Sequence, residues 1–205
     1  MTSVSRDDLA QACLKAIERH GWTHLTLYHV ADVGNLPLEG IHEHATDKIH
    51  FLPIIGDYIE SQTEEVSLPS DQEKHDTVSS SQDSDLNTDL IFEVFMARFD
   101  ALEPHKKSIQ RLLDDLKSNP KELYHLIPDF LHRYKMLLNK AGISYTGPLA
   151  PLQLRASALA YLKILKTFLE DDSQDLAKTM AECDQITKTA IPIVSDPSKI
   201  CSLFS

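Results

Sequence analysis

Apolar residues along the first twenty positions fall at Leu9, Ala12, Cys13, Ala16 and Ile17, spacings that draw a single helical stripe over 5–19. Ser5 stands where an N-cap belongs, Asp7 and Asp8 favour the first turn, and His20-Gly21 supplies a stop. Thr26 is placed to cap a second, short helix carrying Leu27, Val30, Ala31 and Val33, which runs into Gly34-Asn35, two residues that tolerate positive φ. Pro37 suits the first position of a third short helix with Leu38, Ile41 and Ala45 inward. A fourth helix restarts at Thr46 or Asp47 and runs through Ile49, Phe51, Leu52, Ile55 and Ile59, with a kink expected at Pro53.

The pattern breaks over 60–89, which hold nine acidic residues, one Lys and no aromatic side chain. Too little apolar area is present there to offset the entropy of ordering, so 63–86 read as a flexible acidic insertion separating an N-terminal unit from the rest. Helical periodicity returns with Phe92, Phe95, Met96, Phe99 and Leu102, breaks at Glu103-Pro104, and resumes through Ile109, Leu112, Leu113 and Leu116. Asn119-Pro120-Lys121-Glu122 has the order of a cap, a first-turn Pro and a third-position Glu, opening a helix to about Lys140 that bends near Pro128. Residues 152–170 are apolar over a wide arc, so that helix is expected to be covered on several sides. Ser173 is read as the cap of a last helix with Asp175 in its first turn and Leu176, Met180, Cys183 and Ile186 on one face. The residues after Ala190, with two Pro, read as a loosely held tail.

The organisation expected from this pattern is all-α: a helical unit over 1–62, the acidic insertion at 63–88, a second helical domain over 89–190 and a tail over 191–205. Six Gly in 205 residues and no long β-branched runs argue against sandwiches and barrels. No Gly-rich phosphate loop is present, which excludes the P-loop and dinucleotide fingerprints. Cys13, Cys183 and Cys201 are too widely spaced for a zinc ribbon or a disulfide framework. No apolar leader occurs at the start and no run is long enough to span a bilayer, so a reducing, cytoplasmic location is expected. The formal charge of −11 opposes binding to DNA, RNA or anionic membranes unless a local patch reverses it.

Helix, short helix, tight turn, short helix, longer helix is the order of a helix-turn-helix module. Its turn needs a positive-φ residue followed by an apolar plug, and Asn35-Leu36 supplies both. A small helical bundle with a polar turn fits the same pattern. The stretch from Gly21-Trp22 through Thr26, Ala31 and Asn35-Leu36-Pro37 resembles the N-terminal signature of the tetracycline-repressor family. Ile41, His42, His44 and Lys48 continue it toward that family's Leu-Tyr-x-Tyr-Phe-x-x-Lys pattern. Phe95 to His105 and Phe168 to Ala181 resemble segments of a bacterial subgroup of that family. Gly21-Trp22, Leu154-Arg155 and Asp171-Asp172-Ser173 are also similar to features of the lipid-binding accessory proteins of ubiquinone biosynthesis, which keep a repressor-like fold without using it on DNA.

The resemblance implies a transcriptional regulator that binds a DNA operator as a homodimer and senses a small apolar ligand. Its DNA-reading helix would be 37–44, with Leu38, Glu39, His42 and His44 at the groove and Thr26 and Lys48 as phosphate anchors. Phe92, Phe95, Met96, Phe99, Met136, Tyr161 and Leu165 would line the ligand cavity. Leu162, Leu169, Leu176, Met180 and Cys183 would form the dimer interface, in a four-helix bundle built from 151–170 and 174–189 of each subunit. The alternative it implies is a lipid- or isoprenoid-binding protein that has lost DNA recognition. Departures from the pattern bear on that choice. Asn35 replaces the usual Gly, Ala45 the usual Phe and Pro37 the capping Ser. The would-be recognition helix holds Glu39 and Glu43 and no Lys or Arg, and residues 1–60 hold four basic residues against nine acidic.

The remaining chemistry is sparse. Six of the ten His lie between His20 and His50, but His42 and His44 are about 200° apart on a helix, so they read as solvated or capping groups rather than metal ligands. No catalytic constellation is recognisable, and neither cofactor nor metal site is expected. Asp171-Asp172 read as a linker beside a cap rather than a catalytic carboxylate pair.

Overall fold

A computed structural model describes residues 4–65 and 83–195 of the chain. Among these residues every regular element is helical, so the protein is all-α. The helices are α1 (Arg6–His20), α2 (Leu27–Gly34), α3 (Leu38–His42), α4 (Phe51–Glu65), α5 (Asp83–Leu102), α6 (Lys106–Lys117), α7 (Pro120–Lys140), α8 (Ala150–Glu170) and α9 (Ala177–Ser195). Short 3-10 turns precede α4 at Lys48–His50 and α6 at Glu103–His105. The described residues divide into two compact units, one of 4–65 with 100–130 and one of 83–99 with 131–195. The boundary thus differs from the one expected at the acidic insertion: 100–130 belong with the N-terminal helices.

The first unit is built around α1. Ser5 accepts a hydrogen bond from the Asp7 N–H at 3.3 Å, and Gly21 (φ 75°) closes the helix by donating to the Ile17 carbonyl at 2.8 Å. Leu9, Leu14 and Ile17 lie fully buried on different sides of α1, because α2, α4 and α6 all pack on it. Gly34 closes the α1–α2 contact; a Cβ there would stand 2.6 Å from the Ala12 methyl. Asn35 adopts the left-handed conformation (φ 50°), and Leu36 donates back to the Ala31 carbonyl at 2.9 Å, so the turn expected at Asn35-Leu36 forms. α6 is held to the first helices at two places. The Arg111 guanidinium donates to the Glu18 carbonyl at 2.9 Å, and Asp115 accepts from the Thr23 N–H at 3.1 Å.

Three expectations for this unit change. The third helix begins at Leu38 with Pro37 in the N-cap position, where it supplies no side-chain cap, and it ends at His42. The fourth helix starts only at Phe51, after the 3-10 turn, so Pro53 sits in its first turn, where the amide has no helical acceptor to lose and no kink is required. Residues 63–65 and 83–88, expected in the insertion, are helical in α4 and α5; its centre, 66–82, lies outside the described residues.

In the second unit the aromatic side chains of α5, α7 and α8 meet. Phe99 stacks on Tyr161 (centroids 5.6 Å) and on Phe168 (5.1 Å), while Phe95 meets the Tyr161 edge at 5.1 Å and Tyr134 lies 5.3 Å from Tyr161. Phe95, Phe99 and Phe168 are fully buried. The connection from α8 to α9 turns on Asp171. Its carboxylate accepts from the Ser173 N–H and hydroxyl and from the Thr179 N–H and hydroxyl, at 2.5–3.0 Å. The last helix consequently starts at Ala177 rather than around Asp175. Leu176 takes a positive φ of 52° before it, and Ser173 accepts from the Ala177 N–H at 3.0 Å. α9 also extends past the expected start of the tail. Ile191 is buried, Pro192 lies inside the helix, and only 196–205 fall outside the described residues.

Candidate functional site

The residues expected at DNA divide into outward and inward groups. Thr26, Glu39 and His42 are exposed, while Leu38 and His44 are half-buried. Thr26 spends its hydroxyl oxygen on capping α2, accepting from the His29 N–H at 3.2 Å. His44 points back at the N-terminal segment, its Nε2 3.0 Å from the Val4 carbonyl. Lys48 is the decisive residue. Its ammonium lies 3.2 Å from Glu122 Oε1, donates to the Trp22 carbonyl at 3.2 Å and sits 5.2 Å from the Trp22 ring centroid. The other Glu122 oxygen accepts from the Trp22 indole N–H at 2.5 Å, and Trp22 itself is fully buried.

One carboxylate from the first turn of α7 thus holds both the only Trp and the cation expected to anchor phosphate. Lys48 and Glu122 are only 19% and 13% exposed, so a phosphate would have to displace a largely desolvated partner. The surface left around α3 presents Glu39, Glu43 and His42. The sequence gives Glu122 the look of a third-position capping residue; that it reaches Trp22 and Lys48 is a long-range contact with no local signal.

The residues expected to line a ligand cavity meet only in part. Phe95, Phe99 and Tyr161 belong to the aromatic stack, Leu165 is buried, Phe92 and Met96 are half-buried, and Met136 is exposed. Burial lifts the Tyr134 phenol well above its usual range; a hydrogen bond with Ser157 opposes the shift, and the neighbouring Tyr145 and Tyr161 add to it. A pocket of about 200 Å³ lies elsewhere in this unit, between the end of α7 and the start of α8. Of the residues expected at a dimer interface, Leu162 and Met180 are exposed, Leu169 is half-buried, and Leu176 and Cys183 are buried within the subunit. Leu152 and Leu159, 65% and 68% exposed, extend the apolar face of α8.

The titratable groups hold few reactive arrangements. Burial pushes the Cys13 thiol far up and takes Cys183 to about 12, with Asp184 adding to the latter, so neither forms a ready thiolate. Burial alone would raise the Asp171 carboxyl, but the Ser173 and Thr179 donors outweigh it and hold the group well below the usual carboxylate range. His20 and His29 stack at 4.2 Å with nearly parallel rings, which aims their nitrogens at no common point. Among the described residues no group of three or more His, Cys, Asp or Glu is placed to hold a metal ion, and no helix is long and apolar enough to cross a membrane. No family model, no curated protein and no solved structure matches the chain.

Proposed function

We propose that this protein is a non-catalytic helical binding protein for a small apolar ligand, of the tetracycline-repressor-like type in which the DNA-reading segment has become a structural element. The observation that carries this reading is the commitment of Lys48 to Glu122 and Trp22. Most non-specific DNA affinity comes from cations meeting phosphates. This segment keeps its one nearby Lys in an ion pair and faces outward with Glu39 and Glu43. The exposed apolar residues Leu152, Leu159 and Leu162 on α8 and Met180 on α9 support a homodimer formed over these helices, since large apolar side chains on a free subunit are otherwise exposed to water.

Native mass spectrometry of the purified protein tests the reading. The expected result is a dimer mass plus an apolar adduct of a few hundred daltons or less; a bare monomer overturns it. A second reading, a DNA-binding regulator, is favoured by the turn at Asn35 and the Thr26 cap, which resemble a helix-turn-helix. It requires a salt-dependent complex with a short duplex, weakened for every sequence by Lys48→Ala.

A further inference from the structure

The charge of the chain is unevenly distributed. From Leu131 to Leu169 there are six Lys and Arg and no Asp or Glu, in a protein whose formal charge is −11. This basic stretch runs along the C-terminal half of α7, across the connection at 141–149 and along α8. The pocket of about 200 Å³ lies in its midst. Leu138, Ile143, Ala150, Pro151 and Leu154 give it apolar side chains, and Lys135, Asn139 and Tyr145 complete its lining. All three of those side chains carry hydrogen-bond donors. The Tyr145 hydroxyl is buried and has no hydrogen-bond partner among the described residues, an uncommon condition that an acceptor on a ligand relieves. Lys135 is exposed, and its ammonium makes no ion pair or hydrogen bond among the described residues. No carboxylate lines the pocket.

An apolar chamber with a cation, an amide and an orphaned hydroxyl selects a molecule with an apolar body and an anionic head. A cavity of roughly 150 Å³ takes a benzene ring, so this one, at about 200 Å³, takes a body of about eight non-hydrogen atoms. We propose that the pocket between α7 and α8 binds a small monocarboxylate amphiphile, with the carboxylate at Lys135 and Tyr145 and the apolar body against Leu138 and Leu154. The proposal rests on the apolar-ligand reading above and adds to it the place of the site and the chemistry of the head. Asn139 supplies the remaining donor. The acidic remainder of the protein repels the same head, which favours this pocket over other apolar surface.

Isothermal titration of the full chain with octanoate, octan-1-ol and octyltrimethylammonium tests this. Octanoate binds, and binds about tenfold or more tightly than the alcohol of equal chain length, the worth of one charge-assisted hydrogen bond. The ammonium compound does not bind. Lys135→Ala, at an exposed position, reduces octanoate affinity to that of the alcohol and leaves the alcohol unchanged. Tyr145→Phe weakens octanoate severalfold, and Leu154→Trp, which fills the chamber, abolishes both. Equal affinity for acid and alcohol, or an octanoate affinity indifferent to Lys135→Ala, overturns the proposal, as does the absence of octanoate binding. If the purified protein carries an apolar adduct yet octanoate neither binds nor displaces it, this pocket is wrong and the broader reading stands. If octanoate binds as described but no adduct is found and the chain selects DNA, the broader reading fails and the pocket stands.

Discussion

Replacing Glu122 by Ala removes two contacts at once. The indole N–H of fully buried Trp22 loses its acceptor, and the Lys48 ammonium loses its counter-ion. An orphaned buried donor costs about 1–3 kcal/mol. Breaking a buried pair costs about 3–5 kcal/mol when the survivor is left dry. Lys48 is 19% exposed and keeps the Trp22 carbonyl and ring, so that second cost falls to about 1 kcal/mol. The total is about 2–4 kcal/mol. For a chain of this size it corresponds to a fall in Tm of roughly 5–12 °C. Trp22 is the only Trp, so its emission reports on the site directly in urea denaturation. Glu122→Ala is expected to lower the midpoint and shift the native emission to longer wavelength, whereas Glu122→Gln, which keeps an acceptor for the indole, loses about half as much. A Glu122→Ala protein within 0.5 kcal/mol of wild type, with unchanged emission, would refute the reasoning that this carboxylate holds Lys48 in the fold.

Further outcomes follow from the second unit. Asp171→Asn replaces an acceptor-only carboxylate that receives four donors by an amide with an N–H₂ facing some of them, and should cost about 2–4 kcal/mol in thermal or urea unfolding. Because the folded Asp171 carboxyl lies below its unfolded value, its contribution is complete above about pH 4 and is lost as pH falls further toward the folded value; the wild-type and Asp171→Asn melting curves should therefore converge on acidification below pH 4. Phe99→Ala empties the centre of the aromatic stack and should cost about 3–5 kcal/mol by the same assays. Met180→Glu replaces the exposed apolar side chain of α9 by a charge and should yield a monomer or an aggregate by light scattering, with unchanged far-ultraviolet circular dichroism.

Local signals carried most of the fold. Ser5, Gly21, Thr26 and Asn35 act through hydrogen bonds or dihedrals within a few residues of themselves, and each does in the structure what its type and spacing suggest. Expectations that needed distant partners fared differently. Asp171 looks like a linker residue beside a Ser cap, yet it reaches eight residues ahead to Thr179 and sets where α9 begins. The unit boundary moved because Arg111 and Asp115 engage Glu18 and Thr23, contacts across about ninety residues of sequence that no periodicity records. The candidate sites show the same division. The acidic character of α3 is legible from Glu39 and Glu43 alone, but the capture of Lys48 is not. The aromatic stripe Phe95/Phe99 is legible as apolar; only packing distances decide that it meets Tyr161 and Phe168 as a core. Lys135 and Tyr145 had no motif to announce them, since the pocket they line is assembled by the loop between α7 and α8.

The claim that the segment around α3 has ceased to read DNA is tested most directly by selection from a pool of random duplexes at low salt, with the full-length protein as bait and the recovered sequences counted. The account predicts no enriched sequence and recovery no greater than from a pool without protein. Enrichment of a palindromic site, lost with Lys48→Ala, would contradict it.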